Sequence, residues 1–223
     1  MPYKRGRPLI DTSLSFRIAS AMTFYVIWPI AQAVNSMMHS TAYENRKKFA
    51  GISRAVLVSN HTTFLDPVKV SGIVLPNRMW HTLLEPTAEA PVIGTLTRLL
   101  GGMPLPRGKE GLKRFYESCE EAFRYRRFIH FYPEGECYRY NQNVVEFKTG
   151  AFLLSAYFDV PVIPLLLSFP KGTSNPFLFW AGPFPGKPLL PLIRFIRPNI
   201  LPGMKTVKSV WIPSASSLWL YSR

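Results

Sequence analysis

The chain has 223 residues, 47% of them hydrophobic and 18% charged, which is enough for one domain with a sizeable core and too few for two ordinary domains. Its 27 Lys and Arg against 13 Asp and Glu give a formal net charge of +14, so the partner is expected to be anionic. No zinc-finger, helix-turn-helix or aromatic RNA-binding signature accompanies that charge, which speaks against nucleic acid; Cys119 and Cys137 lack a CxxC pairing and indicate neither a zinc site nor a disulfide framework, leaving a reducing, cytoplasmic-side setting as the simpler expectation.

From Ile18 to Met38 there are 21 consecutive residues without an Asp, Glu, Lys or Arg, and a helix of that length reaches roughly 30 Å, the hydrocarbon thickness of a bilayer. Ser20, Thr23, Gln32, Asn35 and Ser36 dilute the run and Pro29 interrupts it, so a helix lying in the interface fits as well as one that spans. Basic residues flank both ends, Lys4, Arg5 and Arg7 before and Arg46, Lys47 and Lys48 after, and the positive-inside rule gives no orientation. A cleaved leader is a third reading, since a basic start, an apolar run and Ala31-Gln32-Ala33 imitate its parts, although Asp11 and Arg17 make it unusually long. Residues 1–48 are therefore expected to form a basic leader and membrane-associating helix, and residues 49–223 the main domain, with its motifs between 54 and 170.

Beyond residue 50, short apolar runs alternate with amphipathic ones, the pattern of an α/β domain. Ala55 to Ser59 (AVLVS) predicts a buried strand. Asp66 to Leu75 predicts a helix, with Asp66 near the positive end of its dipole and Pro67 at an early position. Met79 to Leu83 follows as a strand. Leu112, Phe115, Cys119 and Ala122 recur at spacings of three and four and predict an amphipathic helix over 110–124. Phe128 to Tyr132 (FIHFY) predicts a strand ended by Pro133 and Gly135, Gly150 to Phe158 a helix, and Pro161 to Phe169 a last buried strand. The prolines concentrate after residue 160, where regular helices should be scarce. There, PLLPLIRFIRPNILPGMK sets Arg194, Arg197 and Lys205 among apolar residues; a headgroup boundary and a buried strand with basic edges both account for it. The fold class expected is α/β, a single domain with a mixed, mostly parallel sheet flanked by helices.

The sharpest chemical feature is Asn60-His61-Thr62-Thr63-Phe64-Leu65-Asp66, where a strand gives way to a helix. Five residues of continuous helix turn roughly 500°, so His61 and Asp66 can meet only if His61 lies outside the helix. An Asp that accepts from one imidazole nitrogen fixes the tautomer and raises the basicity of the other, which can then take a proton from an alcohol. This is general-base catalysis without a protein nucleophile.

With Asn-His, four residues and Asp, the chain resembles the glycerolipid acyltransferases typified by 1-acylglycerol-3-phosphate acyltransferase. Gly102-Met103-Pro104-Leu105-Pro106-Arg107 is similar to the family's second block, Tyr132-Pro133-Glu134-Gly135 to the third and Val160-Pro161-Val162-Ile163-Pro164 to the fourth, all in family order over residues 60–164. The resemblance implies a glycerol-phosphate acyltransferase-like fold. It assigns His61 and Asp66 to catalysis, and Asn60, Arg107, Glu134, Gly135 and Lys148 to substrate binding, with Arg107 as phosphate ligand. It also implies acyl-CoA or acyl carrier protein as co-substrate, no metal or redox cofactor, a membrane lipid and lysophospholipid as partners, and a place on the cytoplasmic face of a membrane. The implied reaction is acyl transfer to lysophosphatidic acid, making phosphatidic acid in phospholipid biosynthesis; another lysophospholipid or lipid alcohol as acceptor, or a non-catalytic basic membrane-binding module, are the competing readings. The chain departs from the family after Pro-Glu-Gly, where Thr or Ser, Arg and Ser are usual and Glu136, Cys137 and Tyr138 stand here. One phosphate-binding arginine is thereby missing, with Lys109, Arg139 and Lys148 as replacements. The serine and aromatic tail after Lys208 to Trp211 reads as a shortened ending.

Overall fold

The computed structural model describes residues 2–38, 42–138, 141, 145–168 and 192–195. Its centre is the strand β2 (Ala55–Ser59), every residue of which is buried because strands lie on both sides of it and helices cover both faces. A near-continuous apolar run is what such a position requires. The remaining strands are β1 (Ala42–Glu44), β3 (Met79–Leu84), β4 (Gly102–Leu105), β5 (Phe128–Phe131), β6 (Val162–Ser168) and β7 (Leu192–Phe195). They form one sheet in the order β1-β7-β6-β2-β5-β3-β4. The five strands from β6 to β4 are parallel, and β7 runs antiparallel to β6.

Strand alternation splits the core in two. Val56 and Val58 point with Trp80, Ile129 and Phe131 toward α5 (Gly108–Tyr125) and α6 (Gly150–Phe158), meeting Phe115, Cys119, Ala122 and Leu154. Ala55, Leu57, Phe128, Ile163 and Leu165 point the other way, onto Val70, Ile73 and Val74 of α2 (Asp66–Val74). The result is a helix-sheet-helix sandwich whose parallel strands all present their carboxyl ends on one edge. The expected α/β class with a mostly parallel sheet matches this architecture.

The N-terminal helix α1 (Leu14–Met38) starts four residues earlier than its apolar run suggested. Ser13 accepts from the Phe16 N–H at 3.4 Å and donates to Asp11 Oδ1 at 2.7 Å, an N-cap that nucleates the extra turn. The helix is long and apolar enough to cross a membrane. Leu14, Ile18, Met22, Val26, Ile30 and Val34, spaced by four, are exposed, while Ser20, Phe24 and Asn35 are buried against the domain. Ser20 donates to Leu99 O, Tyr25 to Pro76 O and Trp28 to Val68 O. The leader expected over 1–48 is joined to the body of the fold: Tyr3, Leu9 and Ile10 belong to the core and Ala42–Glu44 pairs with β7. Two short helices, α3 (Glu85–Glu89) and α4 (Pro91–Leu99), connect β3 to β4. Of the basic, apolar segment around Arg194, Arg197 and Lys205, only the backbone of β7 is described; Arg197, Lys205 and the tail from 208 lie outside the described residues.

Candidate active site

The chain leaves β2 at the carboxyl edge through Asn60, whose side chain imitates a strand residue. Its Nδ2 donates to Leu167 O and its Oδ1 accepts from Leu167 N–H, both at 2.8 Å. The main chain is thereby released from the ladder one residue early, and His61 turns out of the sheet. Asn60, expected to contact substrate, has both amide atoms committed to β6.

Asp66, fully buried, is the first residue of α2. Its Oδ2 accepts from Thr62 N–H at 2.5 Å, from Thr63 N–H at 2.7 Å and from His61 Nδ1 at 3.0 Å, and its Oδ1 from the Thr63 hydroxyl. One carboxylate therefore shapes the loop and holds the imidazole. With Nδ1–H facing Asp66, the Nε2 lone pair is left for an acid proton, and the His61 side chain keeps 22% of its surface exposed. Tyr132, the residue after β5, stacks on the imidazole with ring centroids 3.9 Å apart and planes 18° from parallel, which restricts the ring to one plane. Below Asp66 the Lys69 side chain is wholly buried, its Nζ 3.8 Å from Asp66 Oδ1 and donating to Thr63 Oγ1 at 3.1 Å. Burial pulls the Lys69 pKa down, against the attraction of Asp66.

The Pro-Glu-Gly turn after β5 closes the other side. Glu134 Oε2 accepts from His61 N–H at 3.4 Å and Tyr138 N–H donates to His61 O at 2.9 Å, so the two loops hold each other. Burial raises the Glu134 pKa, partly offset by its contact with His61. Gly135 has φ +76°, and the space a Cβ would take is filled by the end of the Lys148 side chain; Lys148 N–H donates to Pro133 O at 2.8 Å. The structure thus brings His61, Asp66, Glu134, Gly135 and Lys148 together. Arg107 is exposed at the end of β4, immediately before α5. It shares the carboxyl edge but stands three strands from β2, roughly 14 Å. Of the other basic residues considered for the phosphate, the Lys109 side chain and Arg139 lie outside the described residues.

Beneath the site runs a buried hydrogen-bond chain that motif reading missed. His81 of β3 and His130 of β5 are register partners, with Nδ1 atoms 3.2 Å apart. His130 Nε2 meets Ser59 Oγ and His81 Nε2 meets Ser71 Oγ, each at 2.9 Å, and Ser71 donates on to Pro67 O at 2.7 Å. The Nδ1 contact needs one N–H and one lone pair, so both rings cannot be protonated. Burial pushes His81 down to about 3, helped by the Arg126 charge, and His130 well below its ordinary value, helped by His81 and His61. This chain ties Ser59, two residues before His61, to Pro67, one residue after Asp66. Each histidine sits in the middle of an apolar strand, where it reads as an ordinary core residue; only the strand order shows that they touch.

The family model described as Acyltransferase matches residues 40–168, more than half of the chain and the whole of the loop-and-turn site. The chain is 26% identical over 116 residues to the 1-acyl-sn-glycerol-3-phosphate acyltransferase of Saccharomyces cerevisiae, over 51% of this chain and 38% of that protein; it thus spans well under half the length of that relative. It also superposes on the crystal structure of the 1-acyl-sn-glycerophosphate (LPA) acyltransferase PlsC from Thermotoga maritima with a TM-score of 0.56 and 21% identity, covering 82% of this chain and 72% of that one, a likeness of fold.

Proposed function

The chain belongs to the acyltransferase family, and we propose that it moves a fatty acyl group from an acyl thioester, of coenzyme A or acyl carrier protein, to the free hydroxyl of lysophosphatidic acid, giving phosphatidic acid. The observation that carries this reading is the 3.0 Å contact between His61 Nδ1 and the buried Asp66 at the carboxyl edge, where open α/β sheets bind their ligands. His61 Nε2 takes the proton of the acceptor hydroxyl as its oxygen attacks the thioester carbonyl. Asp66 stabilises the imidazolium, and collapse of the tetrahedral intermediate expels the thiolate, which recovers that proton. Lys148 over Gly135, with Arg107 along the edge, supplies positive charge for the acceptor phosphate. No redox or metal group is assigned a part in these steps. The exposed apolar stripe of α1 seats the enzyme on the membrane holding its substrates, with the catalytic body on the cytoplasmic face.

A different acceptor on the same apparatus is a second reading, favoured by Glu136, Cys137 and Tyr138 following Pro-Glu-Gly where the family's arginine is absent. The test is acyl transfer by purified protein from defined donors to lysophosphatidic acid, glycerol 3-phosphate and lysophosphatidylcholine. Lysophosphatidic acid is expected to be preferred, and folded His61→Ala to be inactive with every acceptor. Wild-type rates in that variant defeat the catalytic assignment; preference for another acceptor defeats only the substrate.

A further inference from the structure

At the opposite, amino edge of the sheet lies a cavity of about 480 Å³, walled by the first half of α1, the residues entering β3 and those entering β5. Four arginines line it, Arg17, Arg78, Arg126 and Arg127, against a single carboxylate, Asp11. That carboxylate is occupied in capping α1, accepting from Ser13. Among the described residues none of the four arginines forms an ion pair with a carboxylate.

Two of the guanidinium groups are drawn into the same corner. Arg78 Nη2 donates to the Ser20 hydroxyl, and Arg126 donates to Ser20 Oγ at 3.2 Å and to Met79 O at 2.7 Å. Arg126 lies on the Trp80 ring at 3.9 Å and Arg17 on the Tyr125 ring at 4.5 Å, so the charged planes are held in place before any ligand arrives. Among the described residues the buried Arg78 Nε has no hydrogen-bond partner. Burial lowers the pKa of both Arg78 and Arg126, and for Arg126 the charge of Arg78 adds to the effect. Two partly desolvated like charges beside an unused N–H are costly unless an anion joins them, and arginine's planar fork matches a phosphate through paired hydrogen bonds.

The cavity is also larger than a bare phosphate and falls in the range of small-molecule sites, about 300–1,000 Å³. Leu14 and Ile18 line it and begin the exposed stripe that continues through Met22, Val26, Ile30 and Val34. Charge at one end and an apolar track leading away from it describe an amphiphile. We propose that this cavity is a second phosphate site, separate from the catalytic edge, that holds the headgroup of an anionic membrane phospholipid while its acyl chains follow the α1 stripe.

The test is calorimetric titration of the full chain with dihexanoylphosphatidylglycerol below its micelle concentration, with dihexanoylphosphatidylcholine and inorganic phosphate as separate arms. Saturable one-to-one binding of the anionic lipid is expected, weaker for the zwitterion and for phosphate. Arg78→Gln should weaken it at least 10-fold, and the exposed pair Arg17→Gln with Arg127→Gln at least 5-fold, keeping the test available if the half-buried Arg78 substitution does not fold. Arg107→Gln at the catalytic edge and the pair Lys47→Gln with Lys113→Gln elsewhere should leave it unchanged. Unaltered binding in the cavity variants, or equal loss in the remote pair, overturns the site; inorganic phosphate binding as tightly as the lipid overturns the headgroup assignment.

Discussion

Asp66→Asn isolates the charge of the carboxylate from its shape. The asparagine oxygen must replace Oδ2, where the N–H groups of Thr62 and Thr63 and His61 Nδ1 converge, so loop and imidazole stay placed while the amide nitrogen falls at the Oδ1 position. What is lost is the attraction between carboxylate and imidazolium. For unit charges about 4 Å apart at an effective dielectric constant near 20 that attraction is about 4 kcal/mol, or on the order of 10³-fold in kcat. The substitution also removes the carboxylate charge 3.8 Å from the fully buried Lys69 Nζ, and breaking a buried ion pair by removing one partner costs about 3 kcal/mol. Thiol release from the acyl thioester under saturating acceptor gives kcat, and thermal unfolding gives stability. The variant should be slow and destabilised, with acceptor KM close to wild type. Adding Lys69→Met should restore much of the stability and none of the rate, since the two losses have different causes. A folded Asp66→Asn enzyme within 10-fold of wild type, or a double variant whose rate recovers with its stability, refutes the assignment of Asp66 to imidazolium stabilisation.

Asn60→Ala deletes both 2.8 Å bonds to Leu167; unfolding should become easier by about 2 kcal/mol, and kcat should fall with it because His61 is the next residue, whereas intact melting and rate would show the tie to be dispensable. Gly135→Ala places a side chain at φ +76° and displaces the end of Lys148; a stability loss of about 1 kcal/mol and a several-fold rise in acceptor KM at nearly constant kcat are expected, and an unchanged KM would remove Lys148 from the phosphate site. His81 and His130 have folded pKa values depressed below the unfolded value of about 6.5, so the unfolded chain binds more protons than the folded one beneath that pH. Stability is therefore retained above about 6.5 and drains away below it, for His81 down to about 3, by on the order of 1 kcal/mol per pH unit for a single group. Denaturant unfolding at pH 7 and pH 5 measures that slope, which His81→Asn should reduce.

Local signals made the central layers readable. AVLVS, FIHFY and the Leu112-Phe115-Cys119-Ala122 stripe each carry their period within a few residues, and β2, β5 and α5 formed where those periods lie. The four-residue β4 was hidden because Gly102-Met103-Pro104-Leu105 lacks both alternation and β-branched residues; it becomes a strand by pairing with β3. At the site, His61 and Asp66 were legible because the separation of five demands a bend the strand-helix junction supplies. Lys69 was not, since three residues after an Asp on a helix a lysine reads as a solvated face. Its burial follows from loop 60–65 folding over α2, a tertiary fact. Ser59, Ser71, His81 and His130 were illegible for a related reason: their partners are 10, 49 and 71 residues apart, and only the crossing of β5 between β2 and β3 brings them into line.

That crossing bears on the proton transfer proposed for His61. Three imidazoles stand in sequence beneath the carboxyl edge, with Tyr132 stacked on His61 and edge-on to His130, and His130 in turn bonded to His81. A cation on either inner ring would oppose the positive charge His61 acquires in the proposed reaction. Burial makes protonation of the inner pair costly, and their nitrogens are spent on each other and on the Ser59 and Ser71 hydroxyls. Of these three, His61 alone combines a partly exposed side chain with a carboxylate at Nδ1. Environment rather than residue type thus separates the three: in the proposed reaction the partly exposed His61 beside Asp66 receives the alcohol's proton, while burial keeps the inner pair neutral.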